Sequence, residues 1–196
     1  HTVCTTLGDY ESETEQSNMM SLNNPDKKIV IFGIGDLAQL ACIYLQKDSP
    51  YNVAAFTVHQ DYLINDSLLD LEVVPYERIE ESHPPSDYAM FVAVGYKRVN
   101  KEREEIYNHC KSKGYELITY INSRATHWGE FEIGDNCFIF EENVIQPFVR
   151  IGNNVIMWSG NHIGHHSRMW QYSVVGPRGP ERCPKWLKRA NFIDFF

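Results

Sequence analysis

The chain has 196 residues, 43% of them hydrophobic, enough for one ordinary domain or two small ones with a real core. Its formal charge of −8 excludes the broadly basic surface that a nucleic acid or an anionic membrane requires, so an anionic ligand must meet a local basic cluster. Five scattered cysteines, Cys4, Cys42, Cys110, Cys137 and Cys183, show neither CxxC spacing nor the density of a disulfide framework, and point to a reducing cytoplasm.

Residues 1–26 are polar and poor in apolar side chains, and are expected to be disordered; Met20 reads as a more natural start than His1. No apolar run has membrane-spanning length, and no basic flank precedes an apolar core, so neither a membrane segment nor a signal peptide is expected. From Lys27 the pattern alternates between strand and helix. "KKIVIF" is a continuously apolar strand, "DLAQLACIYLQK" a helix with Leu37, Leu40, Ala41, Tyr44 and Leu45 at helical spacing, and "NVAAFTV" a second strand. "VVPYERIEES" passes from strand to helix and "DYAMFVAVG" is another buried strand. "NKEREEIYNHCKSKG" is a helix with Asn100 as N-cap, Val99, Ile106, Tyr107 and Cys110 inward, and Gly114 as its stop. "YELITYI" closes the series as a last strand. The expected unit over 27–120 is a small α/β domain on a parallel sheet.

Two features of this unit suggest a ligand. "GIGDLA", Gly33 to Ala38, places a G-x-G-x-x-A turn between strand and helix, where a phosphate approaches a helix N-terminus; tight strand-to-helix packing explains the glycines equally well. An NAD site wants an acid after the second strand, but "FTV" is followed by His59 and Gln60 before Asp61, which weakens a dehydrogenase reading. In "GYKRVNKER", Lys97, Arg98, Lys101 and Arg103 crowd a helix start, a conflict with the helix dipole that an anion relieves; a solvated face neutralised by Glu102 and Glu104 is the plainer account.

After Ile121 a six-residue rule replaces the helical one. Ile133, Ile139, Ile145, Ile151, Met157, Ile163, Met169 and Val175 occupy the first position of successive hexads, and Cys137, Asn143, Val149, Val155, Asn161, Ser167, Ser173 and Gly179 the fifth. One large and one compact inward residue per hexad describes a short strand plus a turn, three of which close a triangular coil of about eighteen residues that must stack on another. Asn161 then lies over Asn143, where the two amides can pair, and Trp158 over Phe140. "INSRAT" and "HWGEFE" extend the coil back to Ile121, giving a solenoid over 121–180.

In this register His162 is a sixth position, and His165 and His166 are the third and fourth of the next hexad. None is inward, so all three project from turns and corners. That pattern fits a site. It also leaves open exposed histidines without function, or zinc ligation, although H-x-x-H on a turn has no fourth ligand nearby.

The hexads, preceded by "KIVIFGIGDLAQLACIYL" and accompanied by "FTV", "FVAVGYKRVNKERE", "GYELITYI" and "WSGNHIGHHS", resemble the bacterial sugar acyltransferases. This is the sialic-acid O-acetyltransferase-like group, which includes N-acetyltransferases of nucleotide-linked 4-amino-6-deoxy sugars. The resemblance covers roughly 27–168. It implies a left-handed parallel β-helix after a Rossmann-like domain, a cytoplasmic homotrimer, and acetyl-CoA as co-substrate with no metal. It further implies direct transfer of acetyl to the amine or a hydroxyl of a nucleotide-linked sugar. His165 corresponds to the general base, His166 stands where the group often has an orienting acid, and His162 falls to the acetyl-CoA side. Gly33, Gly35, Asp36, Gly95, Tyr96, Lys97 and Arg103 fall to the nucleotide sugar.

The group continues through further coils, whereas after Val175 this chain reads "GPRGPERCPKWLKRANFIDFF", and 181–196 is an atypical basic and aromatic tail. The expectation is a truncated or frame-shifted end, or a tail that caps the solenoid with Trp186, Ala190 and Ile193. A non-catalytic sugar-nucleotide-binding or scaffold protein is therefore the alternative to an acetyltransferase.

Overall fold

The computed structural model describes residues 27–95, 100–176 and 193–194. The apolar runs form β1 (Lys28–Phe32), β2 (Val53–Val58), β4 (Leu71–Pro75) and β5 (Tyr88–Val92), all parallel; β3 (Ser67–Leu68), not foreseen, pairs antiparallel with β4. The sheet order is β3-β4-β2-β1-β5. Both faces are covered, which is why these strands lack alternation. α1 (Asp36–Asp48) lays Ala38, Ala41, Cys42 and Leu45 on one face; α2 (Ile79–Ser82) and α3 (Lys101–Ser112) lay Ile79, Ile106, Tyr107 and Cys110 on the other.

Two local expectations need correction. "YELITYI" adds no sixth strand: Leu117 makes a single bridge to Met90, and Thr119 then hydrogen-bonds Gly134 O, drawing the chain into the solenoid. Asn100 precedes α3 but lies in the left-handed region at φ 66 and does not cap; its amide Nδ2 donates to Tyr172 O at 2.6 Å instead. Gly114, at φ 87, follows α3 as expected. Val99 and the tail residues Gly179, Trp186 and Ala190 lie outside the described residues.

The hexads form two-residue strands: β6 (Tyr120–Ile121), β7 (Thr126–His127), β8 (Glu132–Ile133), β9 (Phe138–Ile139), β10 (Val144–Ile145), β11 (Arg150–Ile151), β12 (Ile156–Met157), β13 (His162–Ile163), β14 (Arg168–Met169) and β15 (Val174–Val175). Each strand from β6 to β12 pairs in parallel with the strand one coil on, so Val144 lies on His162 and Ile156 on Val174. Three faces result: β6-β9-β12-β15, then β7-β10-β13, then β8-β11-β14. β16 (Ile193–Asp194) pairs antiparallel with β14.

First and fifth positions from Cys137 to Val175 are buried, as the hexad rule predicts. Trp158 stacks on Phe140 with centroids 4.7 Å apart and planes at 18°. Asn161 and Asn143 are linked differently from expectation: the Asn161 backbone N–H donates to Asn143 Oδ1 at 3.0 Å, and Asn143 Nδ2 turns to Phe140 O at 2.8 Å. From Asn136 onward the fourth position of each corner is left-handed, with Asn136, Glu142, Phe148, Asn154, Gly160, His166 and Tyr172 all at φ between 51 and 77. Asn136, Asn154, Gly160 and His166 are of types that tolerate that conformation, whereas Glu142, Phe148 and Tyr172 are not, and there the paired strands on either side hold it.

Sixth positions point outward, and they differ by face. The first face carries Tyr120, Phe138, Ile156 and Val174, all buried beneath the α/β layer in one continuous core. The second carries Thr126, Val144 and His162, and the third Glu132, Arg150 and Arg168. Hydrogen bonds lock both corners that flank the first face. At one, Asp48 accepts from Tyr120 Oη at 2.6 Å and the Ser123 N–H at 2.9 Å, and Tyr44 Oη donates to Glu141. At the other, Asn136 bonds both backbone polar groups of Val92, while Arg103 donates to Asn154 O at 2.8 Å and Tyr172 O at 3.2 Å. Arg103 is fully buried, not part of an exposed basic turn. Burial lowers its pKa to about 10, so it keeps its charge at neutral pH.

Candidate functional site

The corner between the second and third faces gathers the three histidines. His162 lies on β13, and His165 and His166 form the turn after it; all are exposed, as their hexad positions predict. The His165 N–H donates to Gln146 Oε1 at 2.8 Å, which anchors its backbone to the coil below. His166 Nδ1 lies 3.0 Å from His165 Nδ1 with the rings near-perpendicular, and its own ring packs against Phe148 at 4.9 Å. Two imidazole nitrogens at that distance share a single proton, so one ring donates and the other accepts. A groove of about 680 Å³ runs from His166 past Phe131, Phe148, Arg150 and Arg168. Gln146 and Phe148 were missed because each acts on a residue a full coil away.

The second cluster is the crest formed by the carboxyl ends of the parallel strands. β1 lies between β2 and β5, so the chain reverses direction beside the turn Gly33 to Asp36, where open α/β sheets place a ligand crevice. Gly33 is required by the chain itself: its φ is 122 and a Cβ would meet Ala93 O at 2.8 Å. Gly35 and Gly95 are different, since a Cβ on either meets nothing within 4 Å among the described residues. Among the described residues neither packing nor a positive φ explains those two glycines, and both leave room above the crest. Asp36 stands in the first turn of α1. Tyr96 and Lys97, with Arg98, lie outside the described residues. Gly33→Ala is therefore expected to cost about 1–3 kcal/mol in urea unfolding, and Gly95→Ala no more than about 0.5 kcal/mol; equal losses would refute the distinction.

His59 and Glu77 complete the crest, and sequence spacing did not join them. His59 follows β2 and Glu77 follows β4, and His59 Nδ1 lies 2.8 Å from Glu77 Oε1. The His59 ring packs edge-on to Phe32 at 5.4 Å and Tyr76 at 5.3 Å.

Among the described residues, no group of three or more His, Cys, Asp or Glu side chains converges as a metal site, and no helix is long and apolar enough to cross a membrane. The His corner lies opposite the face that carries the α/β layer. Hydrogen bonds and ring contacts between the layers fall on the first face and its two flanking corners, and within one chain the crest and His165 stand on different sides of the coil.

These features define an α/β layer docked on one face of a triangular parallel β-solenoid, with histidines on the far corner. That architecture is shared with solved structures that include acetyltransferases. A GDP-perosamine N-acetyltransferase variant from Caulobacter crescentus, in complex with CoA and GDP-perosamine, is similar with a TM-score of 0.67 and 20% identity, over 76% of this chain and 69% of that one. The acetyltransferase domain of PglB from Neisseria gonorrhoeae, in complex with acetyl coenzyme A, gives 0.64 and 19%, over 78% and 71%. WeeI from Acinetobacter baumannii gives 0.62 and 16%, over 77% and 70%. At these identities the likeness is one of fold. No protein-family model and no curated protein matches the chain.

Proposed function

We propose that this chain is an acetyltransferase that moves the acetyl group of acetyl-CoA to the amine, or a hydroxyl, of a nucleotide-linked sugar, with His165 as general base. The observation that carries the reading is the outward placement of His165, on a fold shared with acetyltransferases solved with CoA or acetyl-CoA. On this reading the crest, with Gly33, Gly35, Asp36 and Gly95, holds the nucleotide sugar in a Rossmann-like crevice, and Tyr96 and Lys97, next in the sequence, are assigned to the same ligand. The far corner, with His162 and the groove beside His166, takes the acetyl-CoA, and the coil winds left-handed.

The chemistry needs no covalent acyl-enzyme, because the thioester is already activated. The substrate amine attacks the thioester carbonyl while His165 Nε2 removes its proton; the tetrahedral intermediate collapses, the C–S bond breaks, and the same proton passes to the departing thiolate. For Nε2 to accept, the shared proton must sit on His165 Nδ1 and be donated to His166 Nδ1. His166 thus replaces an orienting carboxylate, and its left-handed corner conformation aims the ring.

Because crest and base lie on different sides of one coil, the reading calls for two copies of the chain per site, which a homotrimer supplies. The test is a thiol-release assay with acetyl-CoA and a panel of nucleotide-linked amino sugars, run on two inactive variants alone and mixed. His165→Ala loses the base and Gly35→Leu fills the crest. Each alone is expected to be inactive, and co-refolded mixtures are expected to recover activity through sites that combine an intact crest with an intact His165. Wild-type protein that binds nucleotide sugar without releasing thiol would favour a non-catalytic binding role instead.

A further inference from the structure

The crest holds a feature that neither the glycine turn nor the histidine corner explains: a carboxylate pinned at both oxygens yet open to solvent. Glu77 Oε1 meets His59 Nδ1 at 2.8 Å, and Glu77 Oε2 accepts the Gln60 N–H at 3.1 Å. A carboxylate offers about four lone-pair sites, so each oxygen retains capacity for one more donor. About half of the Glu77 side chain remains exposed, with relative accessibility 49%. Burial alone would raise its pKa, but the hydrogen bonds from His59 and the Gln60 N–H hold it below the usual glutamate value, and the group stays ionised.

The position matters as much as the chemistry. The Gly33 N–H donates to Thr57 O, so the ends of β1 and β2 are adjacent, and Phe32, next to Gly33, packs on the His59 ring. Strand spacing of about 4.8 Å puts the carboxylate, leaning from β4 toward β2, roughly one to two strands from the glycine turn. That is about the distance from a nucleotide's phosphates to its ribose hydroxyls. In α/β folds of this topology an acid beyond the second strand takes those hydroxyls. After β2 this chain has His59, and the acid arrives from β4 instead.

Resting on the nucleotide-sugar reading of the crest, the geometry points to Glu77, positioned by His59, as the acceptor for the 2′- and 3′-hydroxyls of a ribonucleoside diphosphate. The bound nucleotide then runs in one direction: ribose over β2, diphosphate at Gly33 to Asp36, and sugar toward Gly95. The β5 end abuts the coil through Asn136, so the sugar leaves on the solenoid side. The substrate class is narrowed to ribonucleotide sugars, and nucleotides lacking the 2′-hydroxyl are disfavoured.

Calorimetry on the full chain with UDP, GDP, dUDP and dGDP tests this. Wild-type protein is expected to bind the better ribonucleotide about tenfold more tightly than its 2′-deoxy counterpart, the loss expected for one hydrogen bond to a charged acceptor. Glu77→Gln is expected to weaken ribonucleotide binding more than deoxy binding, which keeps only the 3′-hydroxyl contact, so that the ribo-to-deoxy ratio falls toward one. Equal binding of both forms by wild-type protein overturns the assignment and leaves the crest as a nucleotide site. A preference that survives in Glu77→Gln overturns it likewise. No binding of any of the four overturns both readings. Should Glu77→Gln lose its fold by circular dichroism, the wild-type ribo-to-deoxy ratio decides.

Discussion

Replacing His165 by alanine is expected to lower kcat/KM for acetyl transfer by about 10²–10⁴, with little change in thermal stability. The ring is exposed and touches only His166 among the contacts described, while its backbone bond to Gln146 Oε1 survives the substitution. Loss of fold therefore cannot account for loss of rate. His166 needs a more careful replacement. At φ 60 an alanine adds backbone strain, whereas asparagine tolerates the left-handed region and offers a carbonyl oxygen to the His165 Nδ1–H. His166→Asn is expected to retain most activity and His166→Ala to lose more. Activity unchanged in His165→Ala removes the proposed base, and His166→Asn and His166→Ala falling equally removes the tautomer role of His166.

The parts of this fold legible in the sequence are those governed by a repeated environment. From Cys137 to Val175 every first and fifth hexad position faces the same interior, so Ile139, Ile145, Val149 and Val155 declare themselves by spacing alone. The α/β strands are readable for the same reason, being buried on both sides. What stays hidden depends on a partner far along the chain. Asn100 has the residue type of an N-cap, but its amide is claimed by Tyr172 O, 72 residues away. Arg103 sits in a run of charges that reads as solvated, and only the docked coil shows that its Nη2 donates to two backbone carbonyls. The corner conformation of Phe148, His166 and Tyr172 carries no glycine signal, because stacked strands impose it. For the same reason the link between His59 and Glu77, which follow different strands, appears only in three dimensions. One signal was present and unread. Sixth positions are apolar and aromatic at Tyr120, Phe138, Ile156 and Val174, one coil apart, and that column marks the face on which the α/β layer docks.

That column yields the largest stability prediction. Phe138→Ala is expected to cost about 3–5 kcal/mol in urea unfolding. Phe138 is 1% exposed, and its ring meets Tyr44 at 6.0 Å, Phe91 at 5.3 Å, Tyr120 at 5.6 Å and Phe140 at 4.3 Å. Those partners come from α1, β5 and two levels of the coil, so the cavity left by alanine opens between layers that cannot collapse independently. Thr126→Ala provides the contrast. Thr126 holds the same sixth position on the second face, points outward and is exposed, and its truncation is expected to change stability by no more than about 0.5 kcal/mol. If hexad position alone set burial, the two would behave alike; the difference isolates the contribution of the docked α/β layer. Loss of Phe138 is also expected to weaken cooperativity, giving separate transitions for the sheet and the solenoid, since the core that joins them passes through this ring. A single sharp transition with a loss below about 1 kcal/mol would show that the corner hydrogen bonds of Asp48, Asn136 and Arg103 hold the layers together without it.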